Sequence, residues 1–412
     1  MTNPLVCWLI FGITYCGIAV GGVPGLTLDR TGIALLGAIA MVTAGILPLP
    51  SALSAIDAPT LLLLFGLMLV SAQLRLSGFY ARAAEALSRL TSHPRRFLFL
   101  LMAVSGALSS VLVNDIVCLA FTPVLTLAVL RAGLNPMPYL IGLACASNIG
   151  SAATLIGNPQ NMLIGQVGKL HFGQFALWCG APTLLSLAAA YGILLLLYRG
   201  RLTCAQPFPL RSSALGPPSP APCTWQMWKG LLVMAAVVAL FFTRVPREIT
   251  ALTAGGILLC SRRMDVRKLL GLIDWSLIML FCGLFVVIAG IETTGEPERF
   301  LAWLAHRGVA VSNPFALTAI GALLSNLVSN VPAVMLLVRF LDGAGAESWY
   351  VLALASTFAG NLITIGSIAN LIVIEQARGQ GVSLNFREHA RAGVPVTLAS
   401  LGILVAWLLL ML

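Results

Sequence analysis

Uncharged apolar runs of about twenty residues recur through this chain, at 5–23, 31–49, 58–74, 174–198, 275–291 and 393–412, and each matches the thickness of a bilayer's hydrocarbon core. Two further runs extend the pattern: 228–242, with Lys229 at its edge, and 249–261, which suits a buried short helix nearly as well as a crossing one. Of 412 residues, 59% are hydrophobic and 9% are charged, whereas soluble domains carry about 25% charged residues. In lipid, only helices and closed barrels satisfy every backbone group, and runs this continuous read as helices. The fold class that follows is an all-α polytopic membrane protein. The chain opens Met-Thr-Asn-Pro without a basic stretch, so the first run reads as a retained span rather than a cleaved signal.

Two longer apolar regions, 97–168 and 314–377, are interrupted by Asn, Asp, Ser, Gly and Pro, which lipid does not tolerate. Each reads as a re-entrant hairpin, 97–130 and 314–341, followed by one broken crossing helix, 137–168 and 349–377. Ten crossings result. On that frame 18 of the 24 basic residues share one side, while Lys169, Arg244, Arg247, Arg299, Arg307 and Arg339 lie on the other. The positive-inside rule puts the first side in the cytoplasm and both termini outside. A hairpin that crossed twice would leave this parity unchanged, so the charges support the frame and not the re-entrance. The segment 199–224, with six prolines, Arg and Ser and no acid, reads as a cytoplasmic linker between a first repeat, 1–198, and a second, 225–412. A net charge of +10 would suggest nucleic acid in a soluble protein; here it divides between membrane faces, and no nucleic-acid partner is expected.

The second half is self-similar to the first. Ser109 and Asn114 in SSVLVND fall on Ser325 and Asn330 in SNLVSNV, and Ser147, Gly157 and Asn161 fall on Ser356, Gly366 and Asn370. Five crossings per half is an odd number, so the halves are inverted. Inverted repeats whose helices break at matching positions are the signature of a secondary transporter with its substrate at the midplane. The bland alternative is that Gly, Pro and small polar residues are common in membrane helices anyway.

Each break ends in a helix start. Asn158 precedes Pro159, Asn330 and Pro332 resemble this, Ser367 can cap the helix running into Ile368, and Asn114 can cap the arm from Asp115. Four inward N-termini would bring unsatisfied N–H groups and about half a positive charge each, enough together to hold an anion without arginine. Asn114, Asn158, Asn161, Asn330, Ser367 and Asn370 are the candidate substrate ligands. The preceding arms end in carbonyls, which with the oxygens of Ser109, Asn114, Ser147, Asn148, Ser325, Asn326, Asn330 and Asn361 suit a hard cation such as sodium. The competing role for any one of these is hydrogen-bonded glue between helices.

Asp115 is the carboxylate set deepest in an apolar stretch. Burying its charge costs roughly 2.5–3.5 kcal/mol on insertion scales, which marks it as a functional coupling residue or else as a cap of its own arm. Asp274 and Glu292 flank one span and mark its interfaces. Nine cysteines lack paired spacing; Cys118 and Cys145 lie near the breaks, where thiols can attract a soft metalloid or simply pack. His93, His171, His306 and His389 read as residues of polar connections, away from the breaks. FYARAAEALSRL at 79–90 and ERFLAWLAHRG at 298–308 read as amphipathic interfacial helices or solvated connectors.

At these residues the chain resembles the ion transporter superfamily of arsenite permeases, citrate and divalent-anion symporters and sodium/proton antiporters. VNDIVCLAFTPVL at 113–125 is similar to the asparagine-aspartate hairpin of arsenite-permease relatives. ASNIGSAATLIGNPQN at 146–161, SNLVSNVPAVML at 325–336 and AGNLITIGSIANLIV at 359–373 are similar to the superfamily's broken-helix and second-hairpin motifs. In overall appearance the chain is most similar to bacterial inner-membrane permeases grouped with anion transporters. The resemblance implies a homodimer with two scaffold domains at its interface and mobile transport domains moving as an elevator. The sodium/dicarboxylate symporters carry Ser-Asn-Thr at each hairpin tip, whereas here the tips read Val113-Asn114-Asp115 and Ser329-Asn330-Val331. That departure favours proton coupling through Asp115 over sodium.

The expected function is secondary transport of a small anion or oxyanion across the inner membrane, driven by protons or sodium. A sodium/proton antiporter of the same architecture is the competitor. Neither an ATP-driven pump nor a membrane enzyme finds support, since the chain holds no GxxxxGK[ST], HExxH or GxSxG; a channel, the remaining alternative, would need a continuous polar path. No cofactor or resident metal is expected beyond a sodium ion.

Overall fold

The structure, a computed structural model, describes residues 4–22, 25–203, 224–261, 264–297, 299, 303, 306–307, 313–341 and 343–411. The described residues contain helices and no strand beyond one isolated bridge between Leu134 and Thr203. The first half runs through α1 (Pro4–Val20), α2 (Arg30–Thr43), the short α3 (Leu49–Ser54), α4 (Ala58–Leu76), α5 (Phe79–Ser88), α6 (Pro94–Val111), α7 (Asn114–Arg131), α8 (Pro136–Ser151), α9 (Pro159–Val167) and α10 (Phe172–Leu197). The second half repeats this order: α11 (Thr224–Phe241), α12 (Arg247–Leu259), the short α13 (Val266–Leu270), α14 (Trp275–Glu292), α15 (Pro314–Val328), α16 (Asn330–Leu337), α17 (Ala346–Ala359), α18 (Ile368–Gly379) and α19 (Phe386–Met411). The one step without a described partner is α5, whose counterpart at 298–308 lies largely outside the described residues. So does most of the linker expected at 199–224.

Local sequence explains where these helices start. Asp29, Asp57, Asn135, Asn158, Asp274 and Asn313 each cap a helix by accepting a backbone N–H from two or three residues on, which satisfies an otherwise orphaned donor. Proline opens α6, α8, α9 and α15, where no N–H is missed. Among the described residues six helices, α4, α7, α10, α11, α14 and α19, are long and apolar enough to cross a membrane. The span expected at 31–49 is shorter than read: α2 ends at Thr43 and the chain turns at Gly45, whose φ of 70° belongs to the left-handed region. The separate helix α3 then begins beside Pro48. α5 buries Tyr80, Ala84 and Leu87, with Phe79, Ala83 and Leu90 half-buried against the same core.

The inverted repeat is visible in the packing. Helix α4 of the first half packs on α12 of the second, and α14 of the second packs on α2 of the first. Both crossings use one device, a glycine pressed on a peptide unit. A Cβ at Gly66 would stand 2.5 Å from the Ala251 carbonyl carbon, and one at Gly283 would stand 2.7 Å from that of Ala34. Small residues let membrane helices approach this closely. The hairpins and broken helices form a second group, in which α6 packs on α8, α15 on α17, α7 on α18, α9 on α16 and α10 on α19.

Overpacking at either crossing should cost about 1–3 kcal/mol. Gly66→Val and Gly283→Val are therefore expected to lower the thermal midpoint of purified protein in detergent to a similar degree. Gly256→Val, at a position with nothing within 4 Å of the added carbon, should leave it unchanged.

Candidate functional site

The two broken helices rejoin in matching ways. Between α8 and α9, the Asn161 carboxamide nitrogen donates to the carbonyl of Thr154 at 2.9 Å and of Ser151 at 3.4 Å. Between α17 and α18, Asn370 donates to the carbonyl of Ile363 at 3.2 Å and of Gly360 at 2.8 Å. In the register that lays Asn161 on Asn370, Ser151 falls on Gly360 and Thr154 on Ile363, so the same two carbonyls are satisfied in each half. The interruptions thus survive because an asparagine one turn into the following helix reaches back for the carbonyls that the break leaves open. Asn158 and Ser367 supply the caps, accepting from the Asn161 N–H at 2.8 Å and the Ala369 N–H at 3.2 Å.

One side chain joins the halves. The Asn148 oxygen accepts from Asn114 at 3.2 Å and from the Ser367 hydroxyl at 2.9 Å, while its nitrogen donates to Asn361 at 2.9 Å and to Asn370 at 3.1 Å. All four partners lie on other helices or breaks, and Asn148 itself is buried. The counterpart network, around α9, is thinner. Thr357 accepts from Asn158 and from Gln160 at 3.4 Å each, and Asn158 donates to Ser151 at 2.9 Å. Each upstream arm therefore faces the downstream arm of the opposite repeat, as two-fold pseudosymmetry requires.

The hairpin tips join the same assembly. Ser109 and Ser147 share a hydrogen bond of 2.8 Å, Ser147 donates to the Asn114 carbonyl at 3.1 Å, and the Asn114 N–H meets the Gly157 carbonyl at 3.1 Å. At the other tip the Asn330 carboxamide, in the orientation its neighbours satisfy, donates to the carbonyls of Ser356 at 3.1 Å and Gly366 at 2.9 Å. Asn326 holds Ala322 at 2.9 Å and Ala359 at 3.1 Å. Three of the candidate cation ligands, Asn114, Ser325 and Asn326, each keep a buried side-chain oxygen without a donor, as does Asn161. Oxygens left in that state suit a positive ligand and are costly without one.

Asp115 is half-buried in the first turn of α7. Among the described residues its carboxylate meets no cation within ion-pair distance. Asp274 caps α14, accepting the Leu277 N–H at 2.9 Å, and Glu292 pairs with Arg339 at 3.2 Å. Cys118 and Cys145 are fully buried. No cluster of three or more His, Cys, Asp or Glu suited to a metal exists among the described residues.

One residue departs from its sequence reading. His389 is not in a polar connection: it is wholly buried in α19, with Nε2 on the Asn361 carbonyl at 3.1 Å, beside the second break. Helix α19 starts earlier than its apolar run because Asn385 accepts the Glu388 N–H at 2.9 Å. That cap was the available signal. Thr357 was also missed, although the register laying Ser147 on Ser356 lays Asn148 on Thr357.

Paired breaks, crossed hairpins and exchanged scaffold helices define a membrane transporter built as an inverted repeat. The citrate transporter family model matches residues 7–359, and the chain belongs to that family. It is 30% identical to the Silicon efflux transporter LSI3 of Oryza sativa subsp. japonica, over 94% of each chain. It is 29% identical to the Inner membrane protein YbiR of Escherichia coli (strain K12), over 82% of this chain and 84% of that one. The crystal structure of the Alcanivorax borkumensis YdaH transporter shares the fold, with a TM-score of 0.55 at 16% identity, covering 98% of this chain and 96% of that chain.

Removing Asn161 takes the side-chain donor from the Ser151 and Thr154 carbonyls, and removing Asn370 takes it from that of Gly360, while Ile363 keeps the Gly366 N–H; a buried carbonyl left unsatisfied costs about 1–3 kcal/mol. Asn161→Ala and Asn370→Ala should therefore both lower the thermal midpoint of the purified protein, and Asn148→Ala should do so at least as much as Thr357→Ala.

Proposed function

We propose that this protein is a secondary active carrier of a small anion or oxyanion, coupled to a proton or sodium gradient and working by an elevator motion of the hairpins and broken helices. The single observation that carries the reading is the matched pair of capped breaks, one from each repeat, in a buried interior. The N-termini of α9 and α18 bring partial positive charge there, and no arginine or lysine hydrogen-bonds or ion-pairs with the asparagines and serines that frame them among the described residues. Weak recognition of identity follows from this chemistry, since peptide dipoles read charge before shape. The silicon named for the rice relative and the citrate named for the family both point to oxygen-rich solutes.

Asp115 is the proposed coupling group, with Ser109, Asn114, Ser147, Asn148, Ser325, Asn326, Asn330 and Asn361 as the oxygen set that would receive a cation. The donorless oxygens of Asn114, Ser325 and Asn326 support the cation role. That no described residue places a counter-cation at Asp115 supports a carboxylate that exchanges a proton in the cycle. The proposed setting is a bacterial inner membrane with both termini outside and two copies joined through their scaffolds.

Thermal stabilisation of purified protein by arsenite, silicate, citrate, succinate or sulfate, each with and without sodium, identifies the cargo. Stabilisation by none of the anions, together with sodium/proton exchange in liposomes lacking added anion, would replace the carrier reading with that of a cation antiporter. Asp115→Asn is expected to abolish gradient-driven uptake while leaving the thermal midpoint and oligomeric state intact. Asn158→Ala and Ser367→Ala each remove a cap worth about 1 kcal/mol of helix stability and are expected to weaken substrate binding; unchanged affinity in both would return these residues to helix punctuation.

A further inference from the structure

The two repeats are not in the same state. The register that lays Ala34 on Ala251, Asp57 on Asp274 and Gly66 on Gly283 also lays Arg30 on Arg247 and Thr31 on Glu248. The register that lays Asn161 on Asn370 lays Gly165 on Ile374 and Gln166 on Glu375. On one face, Arg247 donates to the Gly165 carbonyl at 2.7 Å and Gln166 donates to Glu248 at 3.1 Å. These bonds tie the first turn of scaffold helix α12 to the end of α9.

The symmetry-related position on the other face holds no such tie among the described residues. Instead a cavity of about 400 Å³ separates the two groups, with Asp29, Arg30, Thr31, Asp274, Leu277 and Leu280 on the scaffold wall and Ile365, Ile368 and Leu371 on the wall of the second break. Burial follows the cavity. Ile156 and Met162 are 0% and 1% exposed, whereas their counterparts Ile365 and Leu371 are 42% and 36% exposed. At these two positions equivalent residues are buried on one face and open on the other, and the cavity of about 410 Å³ on the first face, between Val167, Glu292 and Arg339, lies away from them at the far end of α14.

We propose that Arg247 and Arg30 are alternate latches of the transport cycle. Arg247 on Gly165 closes the face seen closed here. In the opposite state that bond is released, the cavity collapses, and Arg30 closes on the Ile374–Glu375 turn of α18, its guanidinium meeting the exposed Glu375 carboxylate as Thr31 takes the place of Glu248. By the charge asymmetry the open cavity faces the cytoplasm, so this structure is the inward-open member of the pair. The second latch is charge-assisted and the first joins a guanidinium to a carbonyl at the negative end of a short helix. The exchange needs no residue of the site to change its own partners. The inference rests on the proposed carrier reading, because two access states are what a carrier requires.

Hydrogen–deuterium exchange of the purified full chain in lipid nanodiscs, without substrate, reads both arms at once. Arg247→Ala should slow exchange over residues 363–372 and speed it over 154–168, changing their ratio by at least about fivefold, the lower end of a typical coupling between two states. Arg30→Ala and Glu375→Gln remove side chains that hold no latch here, so they should fold as wild type and shift the ratio the other way or not at all. Combined with Arg247→Ala, either should pull the ratio back toward wild type. Faster exchange over both arms in Arg247→Ala, or a shift of the same sign in Arg30→Ala, overturns the latch. Because exchange is read without cargo, a wild type that carries no anion sinks the functional reading alone. Wrong signs in a protein that does carry one sink the latch alone.

Discussion

A polypeptide inside a bilayer has no water with which to satisfy a peptide group, and the rest of this fold follows from how two interrupted helices meet that demand. At each interruption the carbonyls at the end of one arm and the N–H groups at the start of the next are freed. Asn161 and Asn370 take the carbonyls, and Asn158 and Ser367 take the first N–H groups. What remains after this internal accounting is the electropositive end of a short helix, fixed in direction and enclosed. A cap and a back-reaching carboxamide are thus enough to hold an otherwise forbidden backbone in place and to leave its dipole available.

The same arithmetic applied twice, with opposite sense, produces a molecule whose two faces are chemically alike and conformationally different. The scaffold crossings at Gly66 and Gly283 are nearly superimposable in design: each presses a glycine on the backbone of an alanine in the other repeat. Contacts this tight leave no softer alternative packing at these two crossings. The contacts of α1 and α12 with the hairpins and broken helices include polar ones at helix ends: Arg247 on Gly165, Gln166 on Glu248, and Tyr15 on the carbonyl of Pro332 in the second hairpin at 3.3 Å. Polar bonds at a helix end can be exchanged one for one, whereas an interlocked glycine crossing cannot slide.

Much of this was legible from the chain. The apolar runs placed the spans within a few residues, and local capping chemistry placed the starts of α9 and α18 because Asn-Pro and Ser ahead of an apolar run act on their immediate neighbours. Contacts between the halves were not legible. The partners of Asn148 at Asn361, Ser367 and Asn370 lie more than two hundred residues away, and no periodicity encodes which of several asparagines will meet. Length-based reading also failed where structure is short: α3 and α13 have six and five residues, too few to register as periodic. His389 was hidden by treating the edge of an apolar run as the edge of a helix. The capping signal of Asn385 lay upstream of the hydrophobicity and marked the true boundary.

The departures from symmetry carry as much information as its preservation. Asp115 stands opposite Val331, Asn148 opposite Thr357 and Asn361 opposite Ala152 in the register of the repeats. In each pair the more polar partner belongs to the network centred on Asn148, or to the hairpin arm that begins beside it. The backbone design is therefore shared between the repeats while individual polar side chains are not. Two equal sites would bind cargo twice and couple it to nothing in particular. On the proposed carrier reading, one carboxylate beside the more richly bonded of the two junctions would let the charge on Asp115 and occupancy of that junction share a local equilibrium, which is what a gradient needs to drive a solute.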